Sequence, residues 1–319
     1  MQLFDACRRG LAAEVREVVE REDSVIRLVD RNGCSALSAA SQAGFVDIAR
    51  YLLGAGASVD TADQYGCTPL FAASEKGHVA CVELLVERGA LPCRVNQAGF
   101  SPLWIAASRG HAYTVRRLVE AGADPLHLDR YGRSPLYASC ERGHADVAAF
   151  LIDVGAEVTQ TDQDGMSPLH AASQNGKVEV MKLLLEKGAP VDAVDRDDRS
   201  PLFIAVSLSQ LRTARLLVEA GADVNKPGRA GRLPLYSACK NGNLNLVELL
   251  VDAGADVNEG YANADPSDRT PDGAPVSPLL IARECDHIDV MRYLLDRGGC
   301  YPGFPPISPP SCPPRPRSL

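Results

Sequence analysis

TPLFAASEKGH (residues 68–78), SPLWIAASRGH (101–111) and SPLHAASQNGK (167–177) are versions of one pattern, with starts 33 and then 66 residues apart. In each, a Ser or Thr stands directly before a Pro. That pair opens a helix. The hydroxyl accepts from an orphan backbone N–H as N-cap, and Pro at the first helical position lacks an N–H that would go unpaired anyway. In the copy that begins at Ser134-Pro135 the short helix runs to Gly143, a residue suited to a left-handed cap.

The flanking residues complete the unit. Asp129-Arg130-Tyr131-Gly132 is turn-forming, because Asp bonds the nearby backbone and Gly supplies positive φ. Beyond Gly143, Val147, Phe150, Leu151 and Ile152 form an apolar stripe at helical spacing, and Gly155-Ala156 ends that second helix. Three series repeat every 33 residues: Gly33, Gly66, Gly99, Gly132 and Gly165; Gly-Ala from Gly56 through Gly254; and Leu37 through Leu235. One helix pair cannot bury both of its apolar faces. Neighbours must stack and share a continuous core, with small residues such as Ala106, Ala138 and Ala172 allowing close approach.

This unit of a turn and two helices resembles the ankyrin repeat, as does GADVN at 221–225 and 254–258. The resemblance covers roughly residues 3–300. It implies an all-α ankyrin-repeat solenoid of about nine turn-helix-turn-helix units. The expected organisation is an N-terminal capping repeat (1–29), which lacks the turn and the Ser/Thr-Pro start, then regular repeats at 30–62, 63–95, 96–128, 129–161, 162–194, 195–227 and 228–260. An extended loop (261–275) follows, because Pro234 and Pro278 lie 44 residues apart, and then a C-terminal repeat (276–300). The tail, 301–319, has eight prolines in 19 residues and is expected to be disordered. Within it Pro310-Ser311-Cys312-Pro313-Pro314-Arg315 is similar to ligands of Src-homology-3-type domains.

Two positions depart from the pattern in the repeat at 195–227: Asp198 stands where Gly is expected, and Ser207–Gln210 replaces the usual Gly-His corner. Ser209 at a helix C-cap carries a cost.

Composition limits the function classes. A net charge of −8 disfavours nucleic acid and anionic membranes, and no 18-residue apolar run exists to insert into a bilayer. The ten cysteines lie at least 12 residues apart, without metal-binding spacing. With no apolar leader in MQLFDACRRG, they read as reduced thiols of the cytosol or nucleus. His78, His111 and His144 recur every 33 residues and are structural by resemblance, fixing the corner between helices; His170 is likewise structural, while His127 and His287 stand isolated. No nucleotide-binding, nucleophile-elbow or kinase motif occurs, so neither catalysis nor a cofactor is expected.

The resemblance implies protein binding along the concave face, through turn tips and the exposed side of each first helix. Positions without scaffold duty there are Tyr65, Phe100, Tyr131 and Met166, followed by Arg130, Arg133, Arg196, Arg199, Arg229 and Arg232. Arg109 and Arg142 stand at first-helix ends. Exposed aromatics and arginines dominate binding energies. An arginine stripe on an acidic chain suits a partner protein with an acidic or phosphorylated segment. Local pairing with Asp164, Asp197 and Asp198 is the competing reading of those arginines, and joint charge reversal of Arg133 and Arg199 would separate the two. The fourth box position, Phe71, Trp104, Tyr137, Phe203 and Tyr236, reads as packing between repeats. The expected role is a stand-alone scaffold or adaptor. A substrate-recognition subunit of a ubiquitin ligase and a regulatory arm of a larger assembly are the alternatives.

Overall fold

The computed structural model describes residues 2–260 and 276–300. The loop at 261–275 and the tail at 301–319, with its proline motif, lie outside the described residues. The chain divides into two compact units, Met1–Gly188 and Ala189–Leu319.

The first unit holds six helix pairs: α1 (Gln2–Arg9) and α2 (Ala12–Arg21), α3 (Ala36–Ala43) and α4 (Val46–Gly54), α5 (Pro69–Lys76) and α6 (Val79–Glu87), α7 (Pro102–Arg109) and α8 (Ala112–Glu120), α9 (Pro135–Arg142) and α10 (Ala145–Asp153), and α11 (Pro168–Gln174) and α12 (Val178–Glu186). The second unit holds three: α13 (Pro201–Ser207) and α14 (Leu211–Glu219), α15 (Pro234–Lys240) and α16 (Leu244–Asp252), and α17 (Pro278–Glu284) and α18 (Ile288–Asp296). Within each unit, first helices pack on neighbouring first helices and second on second, in chain order. Among the described residues there is no strand, and an isolated bridge joins Val29 and Ser35. The fold is the expected all-α repeat array.

The recurring residues form it for identifiable reasons. Leu37, Leu70, Leu103, Leu136 and Leu169 are at most 1% exposed and make the spine of the first unit's core. One turn further along each first helix, Ala40, Ala73, Ala106, Ser139 and Ala172 are fully buried, small enough for adjacent helices to approach. Thr68, Ser101, Ser134 and Ser167 each cap a first helix by accepting the N–H three residues on. Such a cap is worth about 1 kcal/mol. Leu233 stands at that place in α15 and provides no side-chain cap.

The Gly-His corners join neighbouring repeats. The rings of His78, His111 and His144 lie over Gly44, Gly77 and Gly110 of the preceding repeat. Each Nε2 pairs with a carbonyl there: Gln42 at 3.1 Å, Glu75 at 3.0 Å and Ser108 at 3.2 Å. The histidines thus tie repeat to repeat, rather than only fixing their own corner. His287 is not isolated. It sits over Gly242 and meets the Lys240 carbonyl at 3.1 Å, and the 11-residue insertion had moved it off the 33-residue series. His127 also has a partner, the Gly99 carbonyl at 3.1 Å.

The departures adopt the backbone of the residues they replace. Asp198 and Ser209 have φ of 59° and 57°, joined by Ala230 and Asp286 at 59° and 60°. Each such non-glycine costs about 1–2 kcal/mol. Gly228 occurs where other hairpins start with Asp or Asn, because a Cβ there would lie 2.6 Å from the Phe203 ring.

Two glycines separate strain from contact. Gly122 has φ +89° and open space where a Cβ would go, whereas at Gly110, φ +77°, a Cβ would lie 2.5 Å from the His144 ring. Gly122→Ala is expected to cost about 1 kcal/mol and Gly110→Ala about 3 kcal/mol, since the latter also expels the histidine from its bond. Chemical denaturation of the two variants checks this, and equal losses would remove the ring contact as a cause.

Candidate functional site

Each regular hairpin in the first unit starts with an Asp or Asn whose Oδ1 accepts two backbone N–H groups. At Asp63 these are Tyr65 (2.9 Å) and Cys67 (2.8 Å); at Asn96, Ala98 and Phe100 (both 3.0 Å); at Asp129, Tyr131 (2.8 Å) and Arg133 (2.9 Å). At Asp30, burial acts to raise the carboxyl, but the N–H groups of Asn32 and Cys34, with Arg8 at 2.5 Å, outweigh it and hold it below the usual carboxylate range. Successive tips are also stitched by backbone bonds: Gln64 to the Asn32 carbonyl (3.0 Å), Gln97 to Tyr65 (2.9 Å), Arg130 to Ala98 (3.4 Å) and Gln163 to Tyr131 (2.9 Å). The tips of this unit are therefore a braced ledge rather than independent loops.

Five side chains converge on it. Phe100 stacks on Trp104 with centroids 4.0 Å apart and planes 13° from parallel. The Arg133 guanidinium lies 5.3 Å from the Trp104 ring centroid and 4.9 Å from that of Tyr131. Arg130 also lies 4.9 Å from the Tyr131 centroid, and its Nη2 donates to the Tyr131 hydroxyl at 2.8 Å. Arginine stacked in this way loses little further freedom on meeting a ligand.

The arginines divide into two kinds. Arg133 Nε donates to Asp129 Oδ2 at 2.9 Å, and that carboxylate has no exposed surface. In the second unit Arg199 does the same for Asp195 at 2.7 Å and lies 3.5 Å from Asp197. These two neutralise buried acids, so they support the fold and are a poor choice for a binding test by charge reversal. Arg130, Arg196 and Arg229 are exposed, and no carboxylate among the described residues pairs with them. Arg232 is half-buried and already engaged. Arg109 reaches back to Glu75 of the preceding repeat at 2.7 Å, and Arg142 lies 3.6 Å from Glu141. Tyr65 and Tyr131 stand out at 60% and 45% exposure. Met166 corrects the expectation: only 8% exposed, it turns into the core at the position where Arg133 and Phe100 are half-buried.

Trp104 entered the sequence reading only as packing, and at 5% exposure it does pack. Its link to the tip cluster runs through Phe100 and Arg133, one residue before the same repeat's cap and one at the end of the next hairpin. The Asp-to-Arg spacing of four in 129–133 and 195–199 was the visible signal for the architectural arginines.

The remaining chemistry is structural. Burial pushes the Cys140 thiol up to about 12 and raises that of Cys239 as well. Both occupy the small, fully buried position that is Ala107 or Ser173 elsewhere. Among the described residues, no group of three His, Cys, Asp or Glu could hold a metal ion, and no helix is long and apolar enough to cross a membrane. An open cleft of about 390 Å³ between α6 and α8 is edged by Glu83, Glu87, Arg117 and Glu120. Arg117 there pairs with Glu83 at 2.7 Å and Glu120 at 2.8 Å.

Arg133→Glu is expected to cost about 3 kcal/mol, because it leaves the Asp129 carboxylate buried beside a like charge. Arg130→Glu is expected to stay within about 0.5 kcal/mol. Urea denaturation of both separates architecture from surface. A raised thiol stays protonated at neutral pH, so Cys140 and Cys239 are expected to resist a disulfide reagent at pH 8 until the chain unfolds, while exposed Cys93 reacts at once. Rapid native labelling of Cys140 would contradict the packing described.

A family model described as ankyrin repeats (3 copies) matches residues 3–96, 91–162, 154–228 and 226–303. Among solved structures, the chain is similar to the human ASB11 ankyrin repeat domain, with 27% identity and a TM-score of 0.62, over 73% of this chain and 99% of that one. None of the curated proteins matches it. Ankyrin-repeat proteins are typically non-catalytic and generally bind other proteins. The helix pairs, the Ser/Thr-Pro caps and the Gly-His corners coincide with the matched segments, and this chain belongs to the ankyrin-repeat family.

Proposed function

We propose that the chain is a non-catalytic scaffold or adaptor that grips a partner protein through its hairpin tips and the ends of its first helices. The observation that carries this is a division of labour among side chains. The turn acids, cap hydroxyls and corner histidines are consumed in holding repeat to repeat, while Tyr65, Arg130 and Tyr131 project from a backbone-braced ledge. Rigid aromatics and stacked arginines on such a support bind at low entropic cost. In the first unit Phe100 and Arg133 border that surface, with Arg133 holding its neighbours in place, and Arg109 and Arg142 stand at the first-helix ends, beside Glu75 and Glu141. In the second unit Arg196 and Arg229 give a separate cationic set, beside Arg199 and Arg232. The unneutralised arginines suit a partner whose contacting segment carries acidic or phosphorylated residues. Widely spaced, unpaired thiols fit a reducing compartment, the cytosol or nucleus.

A photo-crosslinking amino acid at Tyr65 tests this against one at Tyr113, which is 78% exposed on the second-helix side. In cells, crosslinks to a defined partner are expected from position 65 and not from 113. Capture from 113 alone, or from neither, would reject the tip surface.

A further inference from the structure

The tip residues that follow the Arg/Gln position read Asn32, Tyr65, Ala98, Tyr131 and Asp164 along the first unit. Ala98 is therefore a low point between two exposed tyrosines. The backbone bonds from Gln97 to Tyr65 (2.9 Å) and from Arg130 to Ala98 (3.4 Å) fix the three tips in register. With neighbouring helices packing roughly 10 Å apart, the two tyrosines stand about 20 Å from each other. Extended chain advances about 3.3 Å per residue, so the gap accepts about six residues lying across Ala98.

The two ends of this gap differ in charge. At the Tyr131 end, Arg130 is exposed, held by the Tyr131 ring and hydroxyl, and no carboxylate among the described residues neutralises it. Asp129, its neighbour in sequence, is buried and already shared between Arg133 and two backbone N–H groups. Asp164 lies on the next tip outward and repels anions from that side, so an acidic ligand group at Arg130 is directed back toward Ala98. Between Tyr65 and Ala98 the tips carry no cation, the positions there being Gln64 and Gln97 with the Gln97 amide spent on the Gln64 carbonyl at 2.8 Å; exposed Arg31 stands on the next tip outward from Tyr65, outside the gap. Half-buried Phe100, stacked on Trp104, lies between.

We infer that the Tyr65–Ala98–Tyr131 gap binds an extended segment of a partner protein, about six residues long, whose acidic side chain is clasped by Arg130 at one end and whose apolar side chain packs near Tyr65 and Phe100 at the other. This rests on the scaffold reading above and specifies the ligand it takes. Tyr131 orients Arg130 and is a positioning residue, while Arg130 supplies the charge contact. Because a planar guanidinium grips a carboxylate through two parallel bonds, lysine is an incomplete substitute.

Selection of random dodecapeptides displayed on phage, against the full chain and against Arg130→Glu, tests the inference. Peptides enriched on the wild-type chain are expected to share an Asp or Glu with an apolar residue within about five positions. Synthetic copies are expected to bind Arg130→Glu at least tenfold more weakly, and to bind Arg130→Lys with an intermediate loss. They should also shift the emission of Trp104, the single tryptophan of the chain. No enrichment, enriched peptides without an acidic residue, equal binding by Arg130→Glu, or binding that leaves Trp104 unchanged would each overturn it. An Arg130→Glu chain with an unaltered urea midpoint excludes loss through misfolding. If crosslinks from position 65 still capture a partner while the selection fails, the scaffold reading stands and only the acidic-segment inference falls.

Discussion

A single side-chain oxygen, of an aspartate or an asparagine, that accepts two backbone N–H groups sets the geometry of each regular hairpin in the first unit, and the rest of that unit depends on it. Asp63, Asn96 and Asp129 each close a five-residue turn in this way, and the closed turn positions the Ser or Thr that caps the following helix. Burying such an acid requires compensation, and the chain supplies it differently from place to place. Arg8 reaches Asp30 from the capping repeat; Asn96 removes the charge; Arg133 and Arg199 cover Asp129 and Asp195 from four residues downstream. At residue 228 the acid is gone, because the Phe203 ring leaves no room for a Cβ, and the hairpin there is built with Ala230 at positive φ instead.

This compensation shapes what the surface offers. An arginine that neutralises a buried acid cannot also be given up to a ligand without leaving that acid unpaired. Arg133 is such a residue, yet it contributes indirectly by fixing Trp104 and Tyr131, against which Phe100 and Arg130 are ordered. Scaffold and candidate interface therefore share side chains, and the ledge is stiff because the same groups that close the turns also pack its aromatics.

Much of this was legible in the amino-acid order. Periodicity of Gly, Leu and Ser/Thr-Pro identified the repeat, since each position is constrained by backbone chemistry that acts within a few residues: positive φ at Gly132, capping at Ser134, burial of Leu136. His287 escaped notice because an insertion broke the count, not because its chemistry differs. Met166 was misplaced because a turn position looks exposed in one dimension, whereas its side chain points into the core of its neighbours.

The chain's local chemistry by itself determined that it would fold as stacked helix pairs and where each helix begins and ends, and its 33-residue beat marked His78, His111 and His144 as architectural. Tertiary structure alone decided that Phe100, Trp104, Tyr131 and two arginines from adjacent repeats meet on one ledge. The physical reason is distance along the chain. Caps and turns are closed within about five residues, but the ledge is assembled from adjacent repeats whose residues are about 33 apart, and contact across that gap is set by how the repeats stack.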